Sequence, residues 1–435
     1  MANSYLTHTQ TADSSNTKFT FSFWVKRSSI GSTQCIYATQ SGNDEARVEF
    51  NGNDQLFWYK YNGSSFQWRL QTNRRFRDTS AWYHIVLKYD STQSTSSDRL
   101  KMYVNGVEET SFGDADYPSS SENSNFFQGA VAYIGCSENT NSFFDGYLSH
   151  VAMTHGYAYA ATSFGSTDST SGIWKFNPPS GVTWGTQGYH LKFENSGALG
   201  TDSSGQSNTF AVNGNLTQTV DTPSINWVTF NPLCTSGTGQ VSYSRANTRG
   251  GTGVGASFLN MMPNSGKWFM EFHFNAAGAG QDNGIGFWSV NEAQRIAFYV
   301  GGFKGIVWKY AGNVYVNGSN NAFSSNTFTS GDIISVAMDM DNSTATFYKN
   351  GSVATNLNAY SFPFTEREAI TVGIIDGATA SAQDGIFDFN SGANPTFGGR
   401  KTAGGNADGN GQGNFSMAVP SGYYALNTKN LNTYG

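Results

Sequence analysis

The feature that most constrains this chain is the spacing of its apolar residues. Most periodic stretches alternate at every second position and are closed by Gly, Asn, Ser or Asp, the pattern of half-buried strands joined by turns. FTFSFWVKR, QLFWYKY, WYHIVLKYD and LKMYVNGVE carry it early in the chain; KWFMEFHFN, GIGFWSV, DIISVAMDMD, TATFYKNG and GIFDFNSG repeat it in the second half. In the first of these, Phe19, Phe21, Phe23 and Val25 fall on one strand face, with Thr20, Ser22 and Trp24 on the other. The aromatic face needs a second sheet to cover it. No segment of helical length keeps a 3.6-residue apolar period, so the expectation is an all-β chain of packed antiparallel sheets.

Two turn units locate hairpins. Asn105-Gly106 and Asn350-Gly351 each sit between strand-like flanks, and both residue types tolerate the positive φ of a tight two-residue turn. Each follows a further strand candidate, so a similar local pattern occurs twice across 435 residues, which suggests two sandwiches. Boundaries follow from composition: a first unit over 1–165, a Gly/Ser/Pro-rich connector over 166–220, a second unit over 221–410 and a tail over 411–435. Trp174, Phe176, Trp184, Tyr189, Leu191 and Phe193 make the connector too apolar for a free linker and are expected to pack on the first sandwich.

Charge excludes several functions. Lys, Arg, Asp and Glu make up 13% of the chain against a usual ~25%. A net charge of −6 offers no field to collect nucleic acid or anionic lipid, and no nucleic-acid partner is expected. The basic run Arg69, Arg74, Arg75 and Arg77 reads first as a solvated face or subunit contact, and second as an anionic glycan contact. No run approaches 18 apolar residues, so no membrane insertion is expected, and the start MANSYLTHTQ lacks the features of a cleaved signal peptide. Cys35, Cys136 and Cys234 show no metal spacing and read as buried thiols, although Cys35 and Cys136 could meet across a sheet.

Catalytic signatures are missing. The six histidines, 8, 84, 150, 155, 190 and 273, show no HExxH or paired spacing, and no glycine cluster has a phosphate-loop pattern. Glu45 and Glu49 share a face of one strand and read as surface acids; Asp339 and Asp341 read as a strand end and turn. Sugar recognition needs exposed aromatic faces beside polar groups. Trp58, Tyr59, Tyr61 and Trp68 are the candidates in LFWYKYNGSSFQWRL, joined by Arg69 and, in the second half, by Trp288 and Trp308. Alternation sends some of these to the core.

FTFSFWVKRSS, WYHIVLKYD, LKMYVNGVE and IGCSENTNSFFDGYLSHVAM together resemble the laminin-G-like branch of the concanavalin A-like lectin and glucanase superfamily, over residues 15–165. The resemblance implies a two-sheet jelly roll with carbohydrate or protein ligands held by rim loops. It also implies calcium as a candidate ligand, through Asn43, Asp44, Glu45 and Asp54 with Asn53 beside them; no 12-residue calcium loop is present. The related glucanases carry Glu-x-Asp-x-Glu or Glu-x-Asp-x-x-Glu, and neither occurs here. SGIWKFNPP, GYHLKFENSGALGTDSSGQSNTF and NGNLTQTVDTP resemble connectors of tailed-bacteriophage structural proteins. From 221 onward, GDIISVAMDMDNSTATFYKNGS with KWFMEFHF, GIGFWS, TVGI and GIFDFNSG resembles a SPRY-like domain, a bent β-sandwich used as a binding module.

These resemblances imply a non-enzymatic structural protein of a phage virion: a jelly roll followed by a SPRY-like sandwich on the virion surface, in tail or capsid. A tail fibre or surface appendage that adheres to host polysaccharide is the first expectation. Its partners would be other virion proteins and further copies of itself as a homo-oligomer. Capsid decoration or assembly without receptor binding is the alternative, and a glycan hydrolase the third.

Overall fold

The computed structural model describes residues 3–244, 248–275, 283–292, 303–321, 326–363, 369–376 and 386–435; side chains at 234–258, 260, 261, 292 and 376, Cys234 among them, lie outside the description. The chain divides into two units, Met1–Gln218 and Thr219–Gly435.

In the first unit the strands are Tyr5–Thr9 (β1), Lys18–Arg27 (β2), Gln34–Ser41 (β3), Asp44–Phe50 (β4), Gln55–Tyr61 (β5), Phe66–Arg75 (β6), Tyr83–Asp90 (β7) and Leu100–Val104 (β8). They continue with Val107–Glu108 (β9), Phe112–Asp116 (β10), Val131–Ile134 (β11), Gly146–His155 (β12), Gly165–Thr167 (β13), Trp174–Phe176 (β14), Tyr189–Leu191 (β15) and Ala211–Asn213 (β16). An eight-stranded sheet runs β10-β6-β5-β4-β3-β11-β1-β16, and a six-stranded sheet runs β15-β12-β2-β7-β8-β9. Phe19, Phe21, Phe23 and Val25 of β2 meet Val48, Trp58, Trp68, Leu70 and Ile134 of the facing sheet in one buried cluster. Trp58 and Trp68 pack edge to face at 5.3 Å, and Phe19 sits 6.1 Å from Trp58.

The other face of β2 is buried as well. Trp24 stacks on His84 at 4.6 Å, Trp174 donates from Nε1 to His84 Nδ1 at 2.9 Å, Phe176 stacks on His150 at 3.7 Å and Trp184 stacks on His190. Residues 165–184 thus roof the six-stranded sheet. The connector is part of the first unit, because its aromatics cover a face that would otherwise be wet. The roof also fixes one glycine: a Cβ on Gly106 would lie 2.4 Å from the Trp174 ring.

Both hairpins use the same device. Asn105 and Gly106 have φ of 49° and 79°, Asn350 and Gly351 47° and 84°, as a two-residue turn of this hand requires. Asn105 Oδ1 accepts from His84 N at 2.8 Å, and Asn350 Oδ1 accepts from Ile333 N at 2.8 Å, so each turn side chain pins the start of the strand that comes before its hairpin.

In the second unit Lys267–Phe274 pairs with Ile333–Asp339 on one side and Phe387–Asn390 on the other, and Ile333–Asp339 pairs with Thr344–Lys349. Gly284–Ser289 lies between Gly305–Lys309 and Ile370–Asp376. Trp268, Met270, Phe272, Ile285, Phe287, Trp308, Val336, Phe347 and Phe389 share the core. The segment expected to be a separate tail belongs to this unit: Tyr424–Ala425 runs parallel to Trp268–Phe269, and the helix Thr428–Tyr434 is capped by the Asn427 side chain. Glu271, fully buried, accepts from Met417 N at 2.8 Å, Ser416 N at 3.0 Å and Asn390 Nδ2 at 3.1 Å. Asp408 accepts from Ala425 N and Asn430 Nδ2. Among the described residues, no helix is long and apolar enough to cross a membrane.

Candidate functional site

Of the two outer faces of the first unit, one is roofed by its own chain. The other, over β4, β5, β6 and β10, brings side chains to the surface in parallel rows, one from each strand. The row of β5 is Phe57, Tyr59 and Tyr61. Opposite them on β4 stand Glu49, Arg47 and Glu45, and on β6 stand Gln71, Arg69 and Phe66. Asp114 and Asp116 of β10 follow, opposite Gln71 and Arg69.

Phe66 reaches this face because of a bulge. The register shifts where Lys60 opposes Trp68 and Tyr61 opposes Phe66, leaving Gln67 as the extra residue. Trp68 therefore enters the core while Phe66, two positions earlier, emerges outside. Its ring centroid lies 5.5 Å from Phe57, 5.2 Å from Tyr59 and 5.2 Å from Tyr61, and the Arg69 guanidinium covers it at 4.9 Å. It remains 37% exposed, an aromatic platform whose neighbours hold it still.

The charged neighbours are mutually engaged. Arg69 pairs with Asp116 at 2.7 Å and Asp114 at 2.9 Å. Arg47 holds Glu138 through two donors and Glu45 at 3.1 Å, with Glu49 at 3.8 Å. Burial, aided by Glu45 and Glu138 and opposed by Arg47, pushes the Glu49 carboxyl up to about 7, and burial raises Glu45 too. At one end of the face, Asn51, Gln55 and Gln71 form an amide cluster with contacts of 3.3–3.4 Å.

The sequence candidates separate cleanly. Tyr59, Tyr61 and Arg69 belong to the open face, although Tyr59 keeps only 4% exposure beneath its neighbours. Trp58 and Trp68 are fully buried core residues and present no ring to a ligand, because alternation turns them inward with Leu56 and Leu70. Trp288 and Trp308 are likewise buried at 1% and 0%. The calcium candidates do not assemble. Asp54 is fully buried, with Oδ1 3.0 Å from Arg27 Nη1 and 2.7 Å from Gly31 N, and Oδ2 2.9 Å from Arg77 Nε, so it bridges two guanidiniums. Glu45 faces Arg47, and Asn43 and Asp44 stand at the exposed turn between β3 and β4. Among the described residues, no group of three or more His, Cys, Asp or Glu could hold a metal ion.

The basic run is largely spent: Arg74 pairs with Glu109 at 2.7 Å and Arg77 with Asp54. Cys35 and Cys136 are free and buried, the thiol of Cys136 raised to about 12 by burial. His155 bonds Asp13 at 2.8 Å and Thr186 at 3.2 Å, a tie between the N-terminal segment, β12 and the roof. Phe66 was missed by alternation: the bulge at Gln67 breaks the parity that the count relies on, and only the turn signal of Asn62-Gly63 hints at a shift there; Phe57 shares the parity of Tyr59 and Tyr61 and was readable from it.

A family model described as the concanavalin A-like lectin/glucanases superfamily, Laminin_G_3, matches residues 1–161, and the first unit is laminin-G-like. No curated protein sequence matches the chain. Among solved structures, the SPRY domain of human HERC1 is 18% identical, covering 37% of this chain and 96% of that one, with a TM-score of 0.30. Domains LG4-5 of the mouse laminin alpha1 chain are 10% identical, covering 98% and 86%, with a TM-score of 0.27. Domain 4 of AbnA, an extracellular arabinanase of Geobacillus stearothermophilus in complex with arabinotriose, is 16% identical, covering 33% and 64%, with a TM-score of 0.25. The laminin-G-like match covers the first unit, and the described acids of its open face are tied to arginines on a sheet surface.

Proposed function

We propose that this chain is a displayed adhesion protein that holds polysaccharide on the open face of its first unit, with Phe66 as the stacking platform. The observation that carries the reading is the fixed, 37% exposed Phe66 ring amid Phe57, Tyr59 and Tyr61 in a lectin-like domain. A sugar ring laid on such a face gains C–H contact with an aromatic surface that loses little entropy on binding, because its neighbours already hold it. The carboxylates around it, and the amides at one end of the face, can turn to hydroxyls.

The setting we propose is the surface of a tailed-bacteriophage particle, as a tail-fibre or appendage component. What supports it is the resemblance of segments within residues 171–223 to connectors of such proteins. The second unit would be the SPRY-like partner-binding sandwich, joining the chain to other virion proteins or to copies of itself, and multiple copies would raise weak contacts to useful avidity. The test is retention of the full chain, as monomer and artificially multimerised, on purified cell-envelope polysaccharides. Saturable retention lost with Phe66→Ala supports the reading; equal retention of the variant, or none by either form, removes it.

A further inference from the structure

The open face has a charge asymmetry that its aromatic platform does not explain. Glu45, Glu138, Asp114 and Asp116 lie against Arg47 and Arg69, so carboxylates outnumber guanidiniums even with the buried Glu49 left out of the count. The two cations closest to the platform are both enclosed by acids. Arg69, which covers Phe66, is held at 2.7 and 2.9 Å by Asp116 and Asp114. Arg47, opposite Tyr59, is held by Glu138 and Glu45. At the far end of β6, Arg75 is exposed and opposes Gln55, and among the described residues no ion pair engages it.

An acidic sugar on Phe66 would meet carboxylates of its own sign, while the two guanidiniums nearest the platform are already occupied. Displacing an aspartate from Arg69 would expose that aspartate to the incoming anion, so the exchange gains nothing. A neutral hydroxylated ring loses nothing here: the carboxylates accept from hydroxyls, and the amides of Asn51, Gln55 and Gln71 both donate and accept. We infer that the open face selects polysaccharides without acidic groups and rejects those bearing uronate, sulfate or phosphate.

This selectivity rests on the adhesion reading, and the experiment keeps the two separable. The full chain, multimerised, is passed over immobilised neutral glucan and mannan, and over alginate and heparin, at low and moderate salt. The expected result is retention on at least one neutral polymer with little salt dependence and at least tenfold weaker retention on both acidic polymers. Asp114→Asn with Asp116→Asn is expected to raise retention on alginate several-fold by freeing Arg69, an effect that a merely structural role would not produce. Stronger retention on the acidic polymers, lost with salt and with Arg75→Ala, overturns the charge rule and leaves adhesion standing. No retention on any polymer removes the adhesion reading, and the rule falls with it.

Discussion

Phe66, Glu271 and His150 show how single residues set different properties. Phe66 is surrounded at ring distances of 5.2–5.5 Å and yet exposed, so Phe66→Ala removes a binding surface at small structural cost. Trp58 makes the opposite prediction. Its ring is wholly buried against Phe19 and Trp68, and Trp58→Ala should cost about 3–5 kcal/mol in denaturant unfolding of the first unit. A binding loss in that variant would therefore report unfolding.

Glu271 is pushed up to about 7, burial first among the causes and opposed by its three hydrogen bonds. A carboxyl raised in the folded state binds more protons there than in the unfolded chain. Its contribution to the second unit is thus present at acid pH and is lost as pH rises from about 4.5 through 7. Glu271→Gln should flatten that slope in denaturation midpoints measured across the window. It should also cost about 1–3 kcal/mol near pH 5, because an amide NH₂ would face a backbone N–H.

The roof is the element whose behaviour follows most directly from its contacts. Trp174, Phe176 and Trp184 cover His84, His150 and His190, and burial lowers these histidines to about 3, 4 and 4. Buried neutral histidines give stability that is full above their unfolded value near 6.5 and is lost as pH falls toward 4. Lys192 lowers both His150 and His190, and Asp202 raises His190, without reversing the direction. His150 has a φ of 48° at the β12 bulge, so Asn suits its backbone, and His150→Asn should reduce the acid sensitivity of first-unit unfolding. Trp174→Ala should raise the His84 titration midpoint, read by NMR, and destabilise the unit by about 2–3 kcal/mol, below a wholly buried tryptophan because Trp174 is only partly buried. The strands themselves were legible from alternation, and the two Asn-Gly turns from their dihedral demand. The roof was legible only as an apolar connector, since three-residue strands such as Trp174–Phe176 leave no period to read. The platform was not legible, because one bulged residue reverses which side of a strand faces out.

At the scale of the whole molecule, the two units carry opposed buried acid–base groups: depressed histidines in the first, a raised glutamate in the second. Glu49, also raised to about 7, partly offsets the histidines of the first unit. Calorimetry between pH 7 and 5 should therefore show two transitions that shift in opposite directions, the first unit downward and the second upward. The structure divides at Gln218, so the connector, expected to pack on the first sandwich, lies in the first unit, and the segment set apart as a tail lies in the second. Composition marks where a chain is turn-rich, whereas membership follows from what those turns cover. The central claim is that the open sheet face of the first unit binds polysaccharide through Phe66, and the most direct measurement is titration of neutral polysaccharide into the multimerised full chain beside its Phe66→Ala and Tyr61→Ala variants. Saturable binding weakened at least tenfold by Phe66→Ala, with unchanged melting, is the predicted result. Binding that survives both substitutions, or that is absent from the parent chain, would contradict it.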